Sequence, residues 1–344
     1  MVNKSWVYVT LYVDDLLIGA KTFEVIQDIA SEIGKKFNLK VLGSVCFILG
    51  IEVDYNQEKI QLKMIQGTYI ERMVDKYNQD DAKPVYNPVV EDQLLTKNEK
   101  KDGKMDNRPY RSLVGSLLYV ATGTRPDIAF AVCQLSRHLE QPCEEQWKAA
   151  IRVLKYLKST KITGICYTGI SQNITIEAYS DADWAGNRDN QKSTSGVISM
   201  VNGAPVIFKS KIQQSVALRT AEAEHLALYL CLQEILWIKS LFNELKIKID
   251  YLIPIYKDNQ SEIEIAKNNR YQSRSKNIDI RYHFIRDQIK AKVVDIIYIE
   301  TKYQLSDLLT KAISTRRFRL LLDKSKIGNF KSREGVGIDQ FDVQ

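Results

Sequence analysis

The stretch Thr175-Ile176-Glu177-Ala178-Tyr179-Ser180-Asp181-Ala182-Asp183-Trp184-Ala185-Gly186 decides how the rest of the chain is read. From Thr175 to Asp181 the residues alternate with the two-residue period of a half-buried strand, and that strand ends on an acid. Further acids stand far along the chain in settings that aim carboxylates at a shared point. Glu224 opens a long amphipathic segment, and Asp258 ends the apolar strand Ile253-Pro254-Ile255-Tyr256-Lys257-Asp258. Asp307 lies in Gln304-Leu305-Ser306-Asp307-Leu308-Leu309-Thr310-Lys311, where apolar residues recur at helical spacing. Two divalent cations about 3.5–4 Å apart need hard oxygen ligands of this kind, drawn from several elements, to activate water and stabilise the leaving oxygen in phosphodiester hydrolysis.

Each acid also has a plainer role open to it. Asp181 could merely end a strand, with Asp183 beside it on the same face. Asp258 could cap the helix that begins at Asn259, and Asp307 could pair with Lys311 one helical turn on. Periodicity chooses between neighbours in one case. On the helix after Thr220, Leu228, Cys231, Leu232, Ile235, Ile238, Phe242 and Leu245 form the buried stripe, and Glu224 lies one turn before Leu228 on it. Glu222 is rotated about 200° from Glu224 and faces water. No such argument separates Asp181 from Asp183.

Near the start, two β-prone runs flank Asp14 and Asp15 in Trp6-Val7-Tyr8-Val9-Thr10-Leu11-Tyr12-Val13-Asp14-Asp15-Leu16-Leu17-Ile18-Gly19-Ala20, a hairpin with a two-residue turn. Tyr12-Val13-Asp14-Asp15 resembles the metal-binding palm hairpin of a reverse transcriptase. Only 13 residues precede Asp14, so Asp14 and Asp15 are expected to be a vestigial polymerase motif without DNA synthesis. From about Trp6 to Leu322 the chain resembles the C-terminal end of the Pol polyprotein of copia-type long-terminal-repeat retrotransposons. The resemblance runs through LGSVCFILGIEVDYNQEKIQLKMIQGTYIERMVDKYN, YRSLVGSLLYVATGTRPDIAFAVCQLSRHLEQP, AYSDADWAGNRDNQKSTSGVISMVNGAPVIFKSKIQQSVALRTAEAEHLAL, IYKDNQSEIEIAKN, SRSKNIDIRYHFIRDQI and TKYQLSDLLTKAI in the family's order.

What the resemblance implies is a ribonuclease H domain whose catalytic acids fall on Asp181, Glu224, Asp258 and Asp307, holding two Mg²⁺ or Mn²⁺ ions. The expected reaction is endonucleolytic hydrolysis of the RNA strand of an RNA–DNA hybrid, within a reverse transcription machinery. Arg219, Thr220 and Glu222 depart from the family's usual residues at the helix entry without removing a ligand. Two other classes stand beside this one. An inert nucleic-acid-binding remnant fits poorly with a complete set of acids. An integrase or transposase normally uses fewer acids.

The chain has 344 residues, 44% of them hydrophobic and 26% charged, enough for sizeable cores and about two domains. No apolar stretch reaches the roughly 18 residues of a membrane span, and no secretory signal follows Met1. An intracellular protein is expected, cytoplasmic and particle-associated or nuclear, with no membrane partner. Cys46, Cys133, Cys143, Cys166 and Cys231 have no paired spacing, which argues against a zinc site or a disulfide framework.

The formal charge of +7 is modest, so its placement matters more. Arg270, Arg274, Lys276, Arg281, Arg286, Lys290 and Lys292 face only Asp279 and Asp287 between residues 270 and 292, with Tyr271, Tyr282, His283 and Phe284 interleaved. That pattern suits a phosphate backbone, though charge runs are usually solvated faces. Lys209, Lys211 and Arg219 add bases near the acidic elements, and together these residues are the expected contacts to hybrid or to other single- or double-stranded nucleic acid. The rest of a retrotransposon polymerase is a further expected partner.

The fold expected is α/β (α+β): a mixed five-stranded ribonuclease H-like sheet with flanking helices over 170–315, preceded by a palm and thumb remnant at 1–90. A polar linker at 91–109, two connection helices over 110–165 and a loose tail at 316–344 complete it. Strands are expected near 174–181, 195–201, 204–209, 253–258 and 293–299, the long helix at 221–246, and a tight turn at Asn202-Gly203. The opening hairpin leaves strand edges unpaired, so a chain starting near Tyr110 is expected to aggregate less.

Overall fold

The computed structural model describes residues 6–91, 95–97, 105, 108–169, 174–267 and 276–329. The chain begins with the hairpin β1 (Val7–Tyr12) and β2 (Asp15–Ala20), then α1 (Phe23–Gly34), strands β3 (Phe47–Ile48), β4 (Ile51–Asn56) and β5 (Gln61–Ile65), and helix α2 (Gly67–Lys76). Helices α3 (Tyr110–Gly123), α4 (Ala129–Leu135) and α5 (Glu144–Ser159) lead to strand β6 (Thr163–Thr168). Next come β7 (Ile176–Asp183), β8 (Thr194–Val201), β9 (Ala204–Ile212), α6 (Thr220–Glu244) and β10 (Ile253–Lys257). The chain closes with α7 (Gln260–Lys267), α8 (Lys276–Lys290), β11 (Val294–Tyr298), α9 (Thr315–Lys324) and β12 (Ile327–Asn329).

Among the described residues one five-stranded sheet runs β11-β10-β7-β8-β9. β7, β8 and β9 are antiparallel neighbours, while β10 and β11 run parallel to β7. This is the mixed ribonuclease H-like sheet expected from the sequence. Asn202 and Gly203, with φ of 51° and 75°, make the tight turn that lets Val201 pair with Ala204. One face of the sheet, through Ile176, Ala178 and Val197, packs on Leu228, Cys231, Leu232 and Ile235 of α6. Burying each such aliphatic side chain contributes about 1.5–3 kcal/mol. Among the described helices, α6 is long and apolar enough by length and composition to cross a membrane; here its buried stripe covers the sheet.

The opposite face, through Tyr179, Ile198 and Met200, joins a core built from α2, α3, α4, α5, α9 and Leu305, Leu308 and Leu309. The segments expected as palm and thumb remnant, connection and sheet region therefore contribute to one core. A second five-stranded sheet, β12-β6-β5-β4-β3, makes the same point, because β5 from the first hundred residues pairs with β6, and β6 with β12. Several expectations are corrected here. The connection holds α3, α4 and α5 instead of two helices, because Pro126 drives Arg125 out of the helical region, to φ −126° and ψ 67°. Met105, within the expected linker, is buried in the shared core. The expected loose tail begins as α9 and β12, with Phe318, Leu321 and Ile327 buried; residues 330–344 lie outside the described residues. The opening hairpin turns one residue early, on Val13 and Asp14, with Asp15 paired to Tyr12.

Candidate metal centre

Asp181 stands near the end of β7, where strand alternation puts it on the face shared with Tyr179. Glu224 lies in the first turns of α6 and is 4% exposed, while Glu222 is half-buried and accepts a hydrogen bond from the Leu218 amide at 2.9 Å. Asp258 directly follows β10. Asn259, not Asp258, caps the next helix, accepting from the Glu262 amide at 3.1 Å. Asp258 is thereby left to the site. Carboxylate oxygens of Asp181, Glu224 and Asp258 all lie within 4.8 Å of one another.

Asp307 lies beside Asp181, linked to it through Lys311, and is not one of that group of three. Its segment, Leu305–Leu309, is a short 3-10 turn and not the expected helix. Gln304 anchors that turn, donating to the carbonyls of Ser180 at 3.2 Å and Tyr256 at 3.4 Å, while the Ser306 hydroxyl donates to Gln304 at 2.8 Å. Lys311 then bridges Asp307 at 2.9 Å and Asp181 at 3.4 Å. The pairing that the sequence offered as Asp307's plainer role is made, and it sits inside the acidic site. Arg317 also pairs with Asp307, and the Thr310 hydroxyl donates to Asp181 at 2.5 Å.

Asp183, which periodicity could not separate from Asp181, is outside the cluster. Its carboxylate folds over Gly186, where a Cβ would sit 1.8 Å from its Oδ2. Burial nonetheless raises its pKa above the ordinary range.

Electrostatics set Asp181, Glu224 and Asp307 apart. Burial pushes Glu224 up to about 7, against the pull of the Lys257 ammonium. Burial and the neighbouring Asp181 push Asp307 up to about 8. Burial acts the same way on Asp181, but Lys311, Asp307 and Thr310 outweigh it and hold its pKa below the ordinary range. Burial lowers Lys311 and the two aspartates more than restore it, so it stays charged. Crowded carboxylates, of which Glu224 and Asp307 are pushed toward the protonated form, are a donor set that a divalent cation relieves, and all the donors are hard oxygens. The residues fit such an ion.

The basic residues divide. Lys211 and Arg219 are exposed, and Lys209 is exposed but pairs with Glu234 at 2.6 Å. The Arg281 guanidinium lies over the Tyr229 ring at 5.5 Å. Arg286 is buried, donates to the Ile265 carbonyl at 3.2 Å and stacks over Tyr282, which places it in the packing between α7 and α8. Arg270, Arg274 and the Lys276 side chain lie outside the described residues. Asp14 and Asp15 lie on the exposed opening hairpin, in a sheet of their own. Gln304, Thr310 and Arg317 were not singled out in the sequence, because their roles depend on a turn that only tertiary packing forms. Lys257 was legible only as a lysine at an apolar position of a strand.

A family model described as reverse transcriptase (RNA-dependent DNA polymerase) matches residues 2–91. The Retrovirus-related Pol polyprotein from transposon TNT 1-94 of Nicotiana tabacum is 36% identical over 324 residues, covering 92% of this chain and 24% of the relative. That from transposon RE1 of Arabidopsis thaliana is 35% identical over 334 residues, covering 97% of this chain and 22% of the relative. The chain thus spans less than a quarter of the length of these curated relatives. The solved structure of LC11-RNase H1, isolated from compost by a metagenomic approach, aligns over 40% of this chain and 95% of its own at 16% identity, with a TM-score of 0.31.

Proposed function

We propose, from the premise that the chain belongs to the Pol polyproteins of copia-type long-terminal-repeat retrotransposons, that its second half is a divalent-metal-dependent endonuclease cutting the RNA strand of RNA–DNA hybrids. The observation that carries this reading is the convergence of carboxylates from β7, α6 and the end of β10 within 4.8 Å, with Asp307 tied to Asp181 through Lys311. Bound there, a pair of Mg²⁺ or Mn²⁺ ions would supply the Lewis acid for an attacking water and for a departing 3′-oxygen. Asp181, Glu224, Asp258 and Asp307 would hold them. Gln304 and Thr310 keep Asp307 and Asp181 in place. Lys211, Arg219 and Arg281, with Arg270, Arg274 and Lys276, would hold phosphates, while groove shape and 2′-hydroxyl contacts select the hybrid.

The test is cleavage of labelled hybrid, duplex RNA and duplex DNA by purified protein, with Mg²⁺ or Mn²⁺ and with chelator. Hybrid alone is expected to be cut, and only with metal. Asp181→Asn and Asp258→Asn each remove a ligand charge with little change of shape and are expected to cost several kcal/mol, roughly a thousandfold or more in rate. Asp183→Asn is expected to be much milder. Undiminished cleavage by the first two variants sinks the reading.

A further inference from the structure

Alternation along β10 turns Ile253, Ile255 and Lys257 to one face, and the first two belong to the apolar core under α6. A lysine therefore occupies a core position. Its side chain is 0% exposed, and its Nζ reaches the Glu224 carboxylate at 2.9 Å and the Glu224 carbonyl oxygen at 3.2 Å. Around it stand Glu224 from α6, Asp181 from β7 and Glu262 from α7. Glu262 is itself buried and bound at 2.6 Å to Nδ1 of His225, which stacks on Tyr282. The ammonium is shielded from solvent, so its charge is screened less than that of an exposed lysine.

We propose that Lys257 is a built-in counter-cation of the metal centre: it fixes the Glu224 carboxylate in the metal-free protein and weakens the hold of a divalent ion at Glu224. The proposal rests on the reading of the four acids as a metal site. With Lys311 on Asp181 and Asp307, two ammoniums already offset part of the charge of four carboxylates. An ion sharing Glu224 must approach a fixed positive charge one hydrogen bond away. It is held there less tightly than at Asp258.

Calorimetric Mn²⁺ titration of the full chain without nucleic acid tests this. Lys257→Met is expected to bind Mn²⁺ roughly tenfold or more tightly than the unaltered chain, and to gain more thermal stability from it. Lys257→Gln keeps a hydrogen bond to Glu224 without the charge and is expected to do the same. In the unaltered chain, Glu224→Gln is expected to cost less Mn²⁺ affinity than Asp258→Asn, and this comparison decides the matter if neither lysine variant folds. Equal Mn²⁺ affinity with and without the lysine charge, an equal loss in Glu224→Gln and Asp258→Asn, or no Mn²⁺ bound at millimolar concentration overturns the proposal. Hybrid cleavage is read separately. A chain that cuts hybrid but ignores the lysine variants loses this inference and keeps the nuclease; one that shows the expected Mn²⁺ pattern and cuts nothing loses the nuclease alone.

Discussion

At the scale of single residues, the site stores protons that the unfolded chain releases. Glu224 is pushed up to about 7 and Asp307 to about 8, whereas unfolded carboxyls titrate at about 3.9–4.3. Between those values the folded state binds more protons than the unfolded one, so these two groups make stability fall as pH rises, down to a floor above about pH 8. Asp181, depressed by Lys311, loses its favourable contribution only as pH falls below the ordinary carboxyl range. His138, lowered by burial to about 4, has the opposite effect between there and about 6.5, because the unfolded imidazole takes up the proton. A difference measurement separates them. In chelator, the melting temperature of the unaltered chain relative to Asp307→Asn is expected to fall from pH 5 to 8, and Mn²⁺ is expected to reverse the trend. A flat difference would show that Asp307 is not held protonated. The sequence marked Asp181, Glu224 and Asp258 because each ends or opens a recognisable element, and Asp307 because it lies in a segment of helical apolar spacing. It left Asp181 and Asp183 equivalent, since strand alternation gives both one face and only the fold over Gly186 tells them apart.

At the scale of elements, a glycine brings Asp307 up to Asp181. Gly196 of β8 pairs directly with Asp181, and the turn carrying Asp307 lies against it. A Cβ at Gly196 would meet Thr310 Cγ2 at 2.5 Å, the Ser306 carbonyl oxygen at 2.7 Å and Leu309 Cβ at 3.0 Å. Two of those contacts involve backbone or a side-chain root, which cannot swing aside. Gly196→Val is expected to cost about 1–3 kcal/mol by overpacking and to weaken Mn²⁺ binding by lifting Asp307 away from Asp181. Calorimetry and thermal melting check both effects; unaltered Mn²⁺ affinity would mean that Asp307 does not depend on this close approach. The β7–β8–β9 strands, the Asn202-Gly203 turn and α6 were legible, because period and turn chemistry are local. The turn at Leu305–Leu309 was not. Its apolar spacing suits a helix, and only the seat on Gly196 and the Gln304 anchor shorten it.

At the scale of the whole molecule, the order of segments in the sequence is a poor guide to which of them can be separated. β1 and β2 pair only with each other among the described strands, α1 buries no residue, and Leu11, Tyr12 and Val13 are exposed. Such a lone hairpin with open edges is an aggregation hazard. The next segment is different in kind. α2 contributes Ile70, Met73 and Val74 to the shared core, with Tyr77 at its C-cap, and β5 supplies the partner of β6. At about 1.5–3 kcal/mol for each buried apolar side chain, removing α2 alone approaches the 5–15 kcal/mol by which a whole domain is typically stable. Starting the chain near Tyr110, which the sequence suggested as the remedy for aggregation, therefore strips a sheet and part of the core. A chain starting at Gly43 is the better cut. It is expected to aggregate less than the full chain and to melt within a few degrees of it, whereas one starting at Tyr110 is expected to melt at least about 10 °C lower or to precipitate. Light scattering and thermal melting of the three lengths compare them directly. If the chain from Tyr110 melts cooperatively at the temperature of the full chain, the β7–β11 sheet with α6 is an independent domain and the shared core contributes nothing to its stability.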